Sequence, residues 1–549
     1  MGIAFDRITA MLEARLTPSI RDTVYRERFA SIDGVLAQCV GARREETNAL
    51  LLQAARICET DLARVCAQHS ADVWLSLVRR VPPSIFEGAW TVHATLGILK
   101  YSNWSKDTTQ GRVDKPGSFG VALPDVDLLD AWRIAVDAAL IERMLGWRRV
   151  CSKGGSVVAD RSTFRLDTPP DVEVAIDEYE RRRPVEWIFG DDGVPMPLDG
   201  DVTRPILILH PLAKPVALSV PKENSTLTVA HLPVLLPFEA LRRALTFYDE
   251  PLLDKYGAGA EAILQVLVGL SAQCLASFPP LDEADGHWVT GADSSDPRLK
   301  FTFDLLQRGY VRFPRAHLEK ALARVEIDVL PGDTESRVRA FFDAFVLKPE
   351  QRDSIDVLSL EMPPIAWETP GGNCYFDLVM YDDFIRTLLS SARDWYSTAH
   401  GDRFNLLLKT MIEQAATRAR ILGAKRTITT AAGVTRVPDL LVQQGNVLYV
   451  IECKAFSKSR AFWRGDLDAL RQRTARVADA VRQAREAARV VQQALADGAF
   501  TAPGVEDVQW LVCGPTQEFL LPLDRYGLLA SGVSRVCTHE ELLTYLARH

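Results

Sequence analysis

Apolar residues between positions 436 and 454 predict two neighbouring β-strands joined by a short turn. The first segment, Arg436–Val442, is apolar and β-branched enough for a strand, and Gln444-Gly445 is suited to a two-residue turn. The second segment, Asn446–Lys454, contains five consecutive apolar residues. A run without alternation is typical of a strand buried on both faces, so charged residues at its end need an explanation.

The predicted hairpin brings an acid, a second acid and a lysine to one face. Glu452 and Lys454 are two residues apart and therefore point to the same side of their strand. A turn at residues 444–445 pairs Asp439 near Val450, which leaves its Cα about 7–8 Å from that of Glu452. Two carboxylates at this separation can share one Mg²⁺ ion, and the lysine can orient a water or stabilise charge on a phosphoryl group.

Helical and strand patterns on either side of this hairpin complete a longer series of elements. Asp402–Leu422 places apolar residues in helical rows and carries Glu413, and Lys425–Thr430 is predicted to form a strand. After the hairpin, apolar residues recur at spacings of three and four between Leu467 and Val491, followed by a strand at Val508–Cys513. The predicted order is therefore helix, three strands, helix and strand.

The charge distribution changes the interpretation of this region. The whole chain has 64 basic and 72 acidic residues, which does not indicate a nucleic-acid partner. Residues 401–500, however, contain 17 Lys and Arg against 9 Asp and Glu, whereas the preceding 400 residues contain 44 against 57. A basic module attached to an acidic remainder is typical of a domain that binds a phosphate backbone, although such asymmetry also occurs in other proteins.

This series of elements, with its acid–acid–lysine set, resembles the PD-(D/E)XK nuclease superfamily. The motif residues would be Pro438-Asp439 on one strand and Glu452 and Lys454 on the next. The resemblance covers residues 402–513, about a fifth of the chain. It implies a restriction-endonuclease-like core with αβββαβ order.

The resemblance also implies a metal-dependent endonuclease, with DNA favoured over RNA as substrate. Asp439, Glu452, the carbonyl of Cys453 and Glu413 would hold one or two Mg²⁺ ions, with Mn²⁺ as a substitute, and Lys454 would position the attacking water. Glu413 on a helix surface also has a plain interpretation as a solvated side chain. Contacts with nucleic acid are expected from Arg464, Arg471, Gln472, Arg482 and Arg485, for which a solvated arginine face is the alternative.

The length and the positions of proline predict a multidomain α+β protein. Residues 1–170 are expected to form a largely helical domain and residues 171–355 a mixed domain with a small β-containing part. Residues 356–549 are expected to form the nuclease domain. No apolar run reaches membrane-spanning length, and the nine cysteines show no metal-binding spacing. A protein of the reducing cytoplasm is expected.

Several enzyme classes are excluded by missing motifs. The sequence has no GxxxxGK[ST] loop, no HExxH pair and no GxSxG turn, which argues against an NTP-driven motor, a zinc hydrolase and an α/β-hydrolase. The expected protein is a nuclease regulated or targeted by its N-terminal region, and analogy with bacterial restriction and anti-phage proteins suggests a defence role. The alternative is an inactive nucleic-acid-binding or scaffold protein with a nuclease-like fold. A second copy of the chain and a regulatory partner are open as further partners.

Overall fold

The computed structural model describes residues 7–548 apart from the following intervals: 83–84, 107–113, 115–125, 162, 183–203, 221–224, 239–240, 243–248, 250–251, 254–257, 279–296, 317–343, 360–363, 382–383, 386–400, 417, 456–459, 522–526 and 530–531.

The helices of the described residues are, in chain order, α1 (Arg7–Arg15), α2 (Pro18–Cys39), α3 (Arg44–Cys66), α4 (Ala71–Val78), α5 (Trp90–Tyr101), α6 (Leu128–Lys153), α7 (Pro170–Arg181), α8 (Ala260–Leu275), α9 (Pro297–Arg308), α10 (Gly401–Ala415), α11 (Arg460–Trp463), α12 (Leu467–Ala496) and α13 (His539–Arg548). Two 3₁₀ turns lie at Trp104–Lys106 and Pro349–Ser354.

The strands of the same residues are β1 (Ser156–Asp160), β2 (Thr163–Asp167), β3 (Pro205–Val220), β4 (Ser225–Pro237), β5 (Tyr310–Pro314), β6 (Val346–Leu347), β7 (Ala366–Glu368), β8 (Asn373–Asp377), β9 (Ala419–Ala424), β10 (Ile428–Thr429), β11 (Thr435–Arg436), β12 (Leu440–Gln444), β13 (Val447–Cys453), β14 (Asp507–Gly514) and β15 (Val536–Thr538).

These elements form two compact units. The larger unit contains the described residues of Met1–Cys151, Ser156–Leu166 and Val194–Leu389, and the smaller unit those of Ser152–Gly155, Asp167–Gly193 and Ser390–His549. The predicted multidomain α+β class is confirmed. The two units, however, do not follow the predicted boundaries at residues 170 and 355. Long-range strand pairing is the reason, because β8 pairs with β5 and so joins residues 373–377 to the larger unit.

The larger unit is built on a helical core. Helices α2 to α6 bury the indoles of Trp74 and Trp90 together with many aliphatic side chains, and the aromatic rings of Tyr310, Trp367 and Tyr375 lie in the same cluster. A four-stranded sheet with the order β5-β8-β7-β6 supplies these three aromatic residues. The long strands β3 and β4 pair antiparallel with each other, and helices α8 and α9 contact them.

Charged side chains inside the larger unit are paired. Arg308 and Arg312 both contact Asp114 at 2.8 Å, and Arg79 contacts Asp377 at 2.6 Å, with all of these side chains almost fully buried. A buried charge is tolerated only when it is paired and hydrogen-bonded. These pairs therefore fix the way in which the helices and the strands of this unit pack together.

The smaller unit has a five-stranded sheet with the order β15-β14-β13-β12-β9. Strands β9, β12 and β13 pair antiparallel, whereas β13, β14 and β15 pair parallel. Helix α12 provides the crossover from β13 to β14, as a parallel pair requires. The carboxyl termini of β13, β14 and β15 consequently lie at the same end of the sheet.

Helices cover both faces of this sheet. Val450 packs with Ala487, Ala488 and Val491 of α12, whereas the neighbouring Tyr449 points to the opposite face. The hydroxyl of Tyr449 is 2.7 Å from that of Tyr545 on α13. Val447–Cys453 is therefore buried between two helical layers, as its continuous apolar sequence predicts.

Local signals define the N-terminal ends of helices α12 and α13. Asp466 caps α12 by accepting hydrogen bonds from the backbone N–H groups of Asp468 and Ala469. Thr538 and Glu541 form a capping box at the start of α13, in which each side chain bonds to the other residue's backbone N–H.

The predicted first helix and first strand of this region are misplaced. The helix ends at Ala415 rather than at Leu422, and the first sheet strand is Ala419–Ala424 rather than Lys425–Thr430. Residues 416–422 contain alanine, arginine and leucine, which favour a helix in isolation. Pairing with β12 outweighs that preference.

In the described part of the chain, no helix is long and apolar enough to cross a membrane.

Candidate active site

Strand pairing brings the three motif residues to one end of the sheet. Leu440 pairs with Ile451 and Gln444 with Val447, so continuation of this register places Asp439 opposite Glu452. The predicted turn at residues 444–445 is wrong by one position, because Gly445 with φ +58° occupies the first turn position. This shift moves the partner of Asp439 by two residues, from Val450 to Glu452. A shift of two keeps the predicted face and shortens the separation of the carboxylates.

Asp439 is held by the backbone on both sides of its strand. Its Oδ2 accepts a hydrogen bond of 2.8 Å from the backbone N–H of Cys453. Its carbonyl accepts bonds from the backbone N–H of Lys425 at 3.0 Å and from the side-chain amide of Asn405 at 3.2 Å. The carboxylate is thus fixed next to the end of β13. Asn405 was missed by sequence reasoning, which had no signal for a buried asparagine on α10.

Glu452 and Lys454 form a direct ion pair at the end of β13. Lys454 Nζ lies 2.6 Å from Glu452 Oε1, and the two side chains are 24% and 13% exposed. The backbone N–H of Lys454 donates to the carbonyl of Cys513 on β14. Burial and the charge of nearby Asp439 raise the pKa of Glu452, while Lys454 acts against this rise. The site therefore combines two repelling carboxylates with one ammonium group.

Cys453 lies between these charged residues but is not a reactive group. Its side chain is buried, and burial raises the pKa of its thiol well above the ordinary value, which keeps the sulfur protonated. Cys453 acts in the site through its backbone N–H, which donates a hydrogen bond to Asp439 and so fixes its carboxylate. The contribution of its carbonyl to metal binding stays a prediction.

Glu413 is not brought to the other acids by any described contact. Its side chain is 54% exposed and lies 3.8 Å from Lys409, one turn earlier on α10. Asn405, which does contact Asp439, is eight residues earlier on the same helix, or about 12 Å along the axis. The plain interpretation of Glu413 as a surface glutamate therefore agrees better with its surroundings than a role as metal ligand.

Helix α12 carries a further acid, Asp479, whose charge influences Glu452 and which sequence reasoning missed. Its hydrogen bond with Arg482 and the charge of Lys454 lower the pKa of Asp479. Asp479 in turn adds to the rise in the pKa of Glu452 that burial and Asp439 cause. The charge of Asp479 therefore influences Glu452, while its described side-chain contacts are with Arg482 and Gln483 on the same helix. Only the pairing of α12 with the sheet reveals this, because the apolar stripe of the helix gives no reason to select one surface aspartate.

The basic residues predicted to contact nucleic acid mostly have partners within the protein. Arg482 pairs with Asp479 and with Glu486, and the guanidinium of Arg485 lies 4.8 Å from the centre of the Trp510 ring. Arg471 lies 3.4 Å from Asp468. Gln472 is exposed one position further along α12, and Arg464 is half-buried in the turn before this helix. The helix therefore presents arginines whose charges are largely offset by neighbouring acids or stacked on a ring.

Arg473 differs from the exposed arginines of α12 because its side chain is buried. Its guanidinium contacts Glu518 at 2.7 Å and Thr516 at 3.0 Å. Replacing Arg473 by alanine leaves the carboxylate of Glu518 buried without its partner. We expect this variant to lower the free energy of unfolding by about 3–5 kcal/mol, measured by urea denaturation.

Arg471 provides the matched control for this measurement, since it lies two residues away on the same helix. It is 52% exposed, and its pair with Asp468 is at the surface. Arg471→Ala should change the free energy of unfolding by less than about 1 kcal/mol. Equal effects of the two substitutions would show that Arg473 is not a structural residue.

The donor groups at this site fit a hard divalent cation. Mg²⁺ retains several waters and is usually bound by one or two carboxylates, which Asp439 and Glu452 can supply. Among the residues that the structure describes, no three Asp, Glu, His or Cys side chains gather closely enough to form a full metal site.

Comparison of the chain with protein-family models, with curated proteins and with solved structures gives no match.

Proposed function

We propose that this chain is a Mg²⁺-dependent nuclease that hydrolyses phosphodiester bonds, with DNA as the favoured substrate. The observation that carries this proposal is the ion pair between Lys454 and Glu452, beside an Asp439 carboxylate fixed by backbone hydrogen bonds. Three charges at the end of a buried strand reduce stability, and such arrangements are typical of functional sites.

The order of elements in the smaller unit supports the same proposal. Helix α10, the sheet strands β9, β12 and β13, helix α12 and strand β14 occur in the order helix, three strands, helix and strand, with the short hairpin β10–β11 and the short helix α11 inserted between them. The strands β9, β12 and β13 form an antiparallel meander to which β14 adds in parallel. This is the order that the resemblance to the PD-(D/E)XK superfamily implies. The agreement concerns topology and adds to the evidence from the motif.

In the proposed mechanism each residue has a distinct task. Asp439 and Glu452 would hold Mg²⁺. When bound, this ion would act as a Lewis acid towards the phosphoryl oxygens and lower the pKa of a coordinated water. The backbone N–H of Cys453 keeps Asp439 oriented. Lys454 Nζ, positioned by Glu452, can orient the attacking water or stabilise the negative charge that develops on the phosphoryl group.

The larger unit contributes none of the Asp439, Glu452 and Lys454 side chains. We assign it a controlling or targeting role, such as limiting cleavage until a partner or a particular substrate binds. A role in defence against phage stays an analogy with other proteins that join a nuclease to a large N-terminal region.

The test is a cleavage assay of the full chain on plasmid, linear duplex DNA, single-stranded DNA and RNA, with Mg²⁺, Mn²⁺ or EDTA. Asp439→Asn is the informative variant, because the amide oxygen can still accept from the Cys453 N–H but carries no charge. We expect this variant to keep the fold and to lose both Mn²⁺ binding, measured by calorimetry, and metal-dependent cleavage.

Two other results would reject the proposal in different ways. Binding of nucleic acid without metal binding or cleavage by the wild type would favour an inactive nucleic-acid-binding protein. Cleavage that persists in Asp439→Asn would place the active centre elsewhere in the chain. Glu413→Gln serves as the control, since Glu413 is exposed on the helix surface and should not affect cutting.

A further inference from the structure

Residues Lys425–Val437 form a basic hairpin that leads directly into the candidate site. Within it, β10 and β11 pair antiparallel, with Ile428 opposite Arg436 and Thr429 opposite Thr435. The hairpin turns at Gly433, whose φ of +82° favours glycine. The sequence from Arg418 to Pro438 contains five basic residues and no acidic residue. This stretch is the longest acid-free and basic surface segment next to Asp439.

The basic hairpin is exposed along almost its whole length. Of its residues, only Ile428 and Thr430 are buried. Val434 near the tip and Val437 near the base are 49% and 51% exposed, although both are apolar. Both valine side chains are therefore accessible to a molecule that binds along the hairpin.

Several contacts hold the basic hairpin rigidly against α12. Ile428 packs into the apolar cluster of the helix, and the backbone N–H of Ala431 donates to Asp497 at 2.8 Å. Arg436 pairs with Glu486 at 3.0 Å. A substrate-binding element that is already ordered loses little conformational entropy when it binds.

The base of the basic hairpin is joined to the catalytic aspartate. The backbone N–H of Lys425 donates to the carbonyl of Asp439, and Val437 is separated from Asp439 by one residue. The Cα atoms of Val437 and Asp439 can therefore be no more than about 7 Å apart. Lys425 also has a φ of +48°, a left-handed conformation that is rare for residues other than glycine and is often found at functional sites.

Arg426 of the hairpin differs from Arg482 of α12 in its surroundings. Arg426 donates to the carbonyl of Leu422, and its guanidinium lies 4.9 Å from the centre of the Phe500 ring, so its described contacts are uncharged. On α12, by contrast, Arg482 contacts two carboxylates. A phosphate backbone gains more from a cation that is not already paired with an acid.

We propose that the basic hairpin enters the major groove of duplex DNA and places a backbone phosphate at Asp439, Glu452 and Lys454. The inference rests on the nuclease function proposed above. The major groove of B-form DNA admits a two-stranded ribbon, and apolar side chains such as Val434 can contact the methyl groups of thymine there. The major groove of A-form RNA is too deep and narrow for such a ribbon. The preferred substrate is therefore duplex DNA.

The experiment measures binding of the full chain to fluorescently labelled duplex DNA, an RNA duplex of the same sequence, and single-stranded DNA, in EDTA to prevent cleavage. The test variant is Lys425→Asn combined with Arg426→Gln, because asparagine accepts a left-handed conformation. We expect at least about a tenfold loss of affinity for duplex DNA and a salt dependence reduced by about two phosphate contacts. The wild type should prefer duplex DNA to the RNA duplex.

Two charge-matched variants make the result specific to the hairpin. Arg26→Gln with Arg56→Gln removes two exposed charges from α2 and α3 and should leave binding unchanged. Arg471→Gln with Arg482→Gln removes two charges from α12, and a larger loss there than in the hairpin variant would overturn the inference. Val434→Asp should weaken binding to duplex DNA and Val434→Thr should not, with thermal unfolding of both variants as the check on folding.

The possible failures can be told apart. Wild type that binds and cuts DNA while the hairpin variant binds equally well would reject the inference and leave the nuclease proposal intact. Equal affinity of the wild type for the RNA duplex and duplex DNA would also reject it. Wild type that binds no nucleic acid at all would reject both proposals.

Discussion

Replacement of Lys454 by alanine is expected to lower the rate of metal-dependent cleavage by between about a hundredfold and ten-thousandfold, the usual contribution of a group that transfers or orients a proton. Lys454 Nζ is within 2.6 Å of Glu452 and is partly exposed, so it can reach a substrate at the sheet edge. Divalent metal binding should persist, because both carboxylates remain. Single-turnover cleavage of plasmid and calorimetric titration with Mn²⁺ measure these two effects separately.

Lys409 supplies the control for this substitution. It is a partly exposed lysine on α10 that also lies near a glutamate, at 3.8 Å from Glu413. Lys409→Ala should cut at the wild-type rate. A Lys454→Ala protein that folds, binds Mn²⁺ and cuts like the wild type would remove Lys454 from the mechanism.

Replacement of Glu452 by glutamine is expected to abolish cleavage and, at neutral pH, to stabilise the fold. Burial and the charge of Asp439 raise the pKa of Glu452, so the folded protein holds this proton more tightly than the unfolded chain does. The contribution of Glu452 to the free energy of unfolding is therefore largest below the ordinary pKa of glutamate, and it falls as the pH rises through the raised pKa. Glutamine removes the charge that causes this loss, but it also removes a carboxylate from the metal site.

Thermal unfolding in EDTA at about pH 4 and about pH 8 measures this trade-off. The Glu452→Gln protein should unfold at a higher temperature than the wild type at the higher pH, and the difference should shrink at the lower pH, where the wild-type carboxyl is protonated. Glu413→Gln is the control, because Glu413 is an exposed glutamate and should show no such gain. A Glu452→Gln protein that is less stable than wild type at the higher pH would mean that the pair with Lys454 outweighs burial and repulsion.

Much of the candidate site follows from sequence periodicity. The continuous apolar run predicts β13, and the two-residue repeat predicts that Glu452 and Lys454 share a face. The stripe of apolar residues predicts helix α12 and its contact with the sheet. These features depend on nearest neighbours along the chain, which is why one sequence suffices to find them.

The features that were missed depend on partners distant in the chain. Arg473 is buried against Glu518, which lies 45 residues further along the chain. Strand β9 has a sequence that favours a helix and becomes a strand through its pairing with β12. Asn405 of α10 contacts Asp439, and the charge of Asp479 on α12 influences Glu452, but neither residue has a local signature.

The two compact units differ from the predicted domains for the same reason. Proline pairs and changes in composition mark where the chain turns, but they do not tell which segments pair later. Residues 373–377 lie within the predicted nuclease domain, 356–549, yet they pair with Tyr310–Pro314 of the larger unit. The Arg79–Asp377 pair ties the same segment to α4 and its C-terminal end.

Helix α7 makes the smaller unit discontinuous along the chain. Arg182, which follows this helix, bonds to the carbonyl of Val536 and to both carboxylate oxygens of Glu541. Tyr179 of α7 lies edge-on to Phe519, with Lys153 above both rings. A fragment that begins at residue 390 would lack all three of these side chains and leave Glu541 without its arginine. The smaller unit is therefore not a cassette that recombination could transfer as one continuous segment, because its residues come from three separate stretches of the chain.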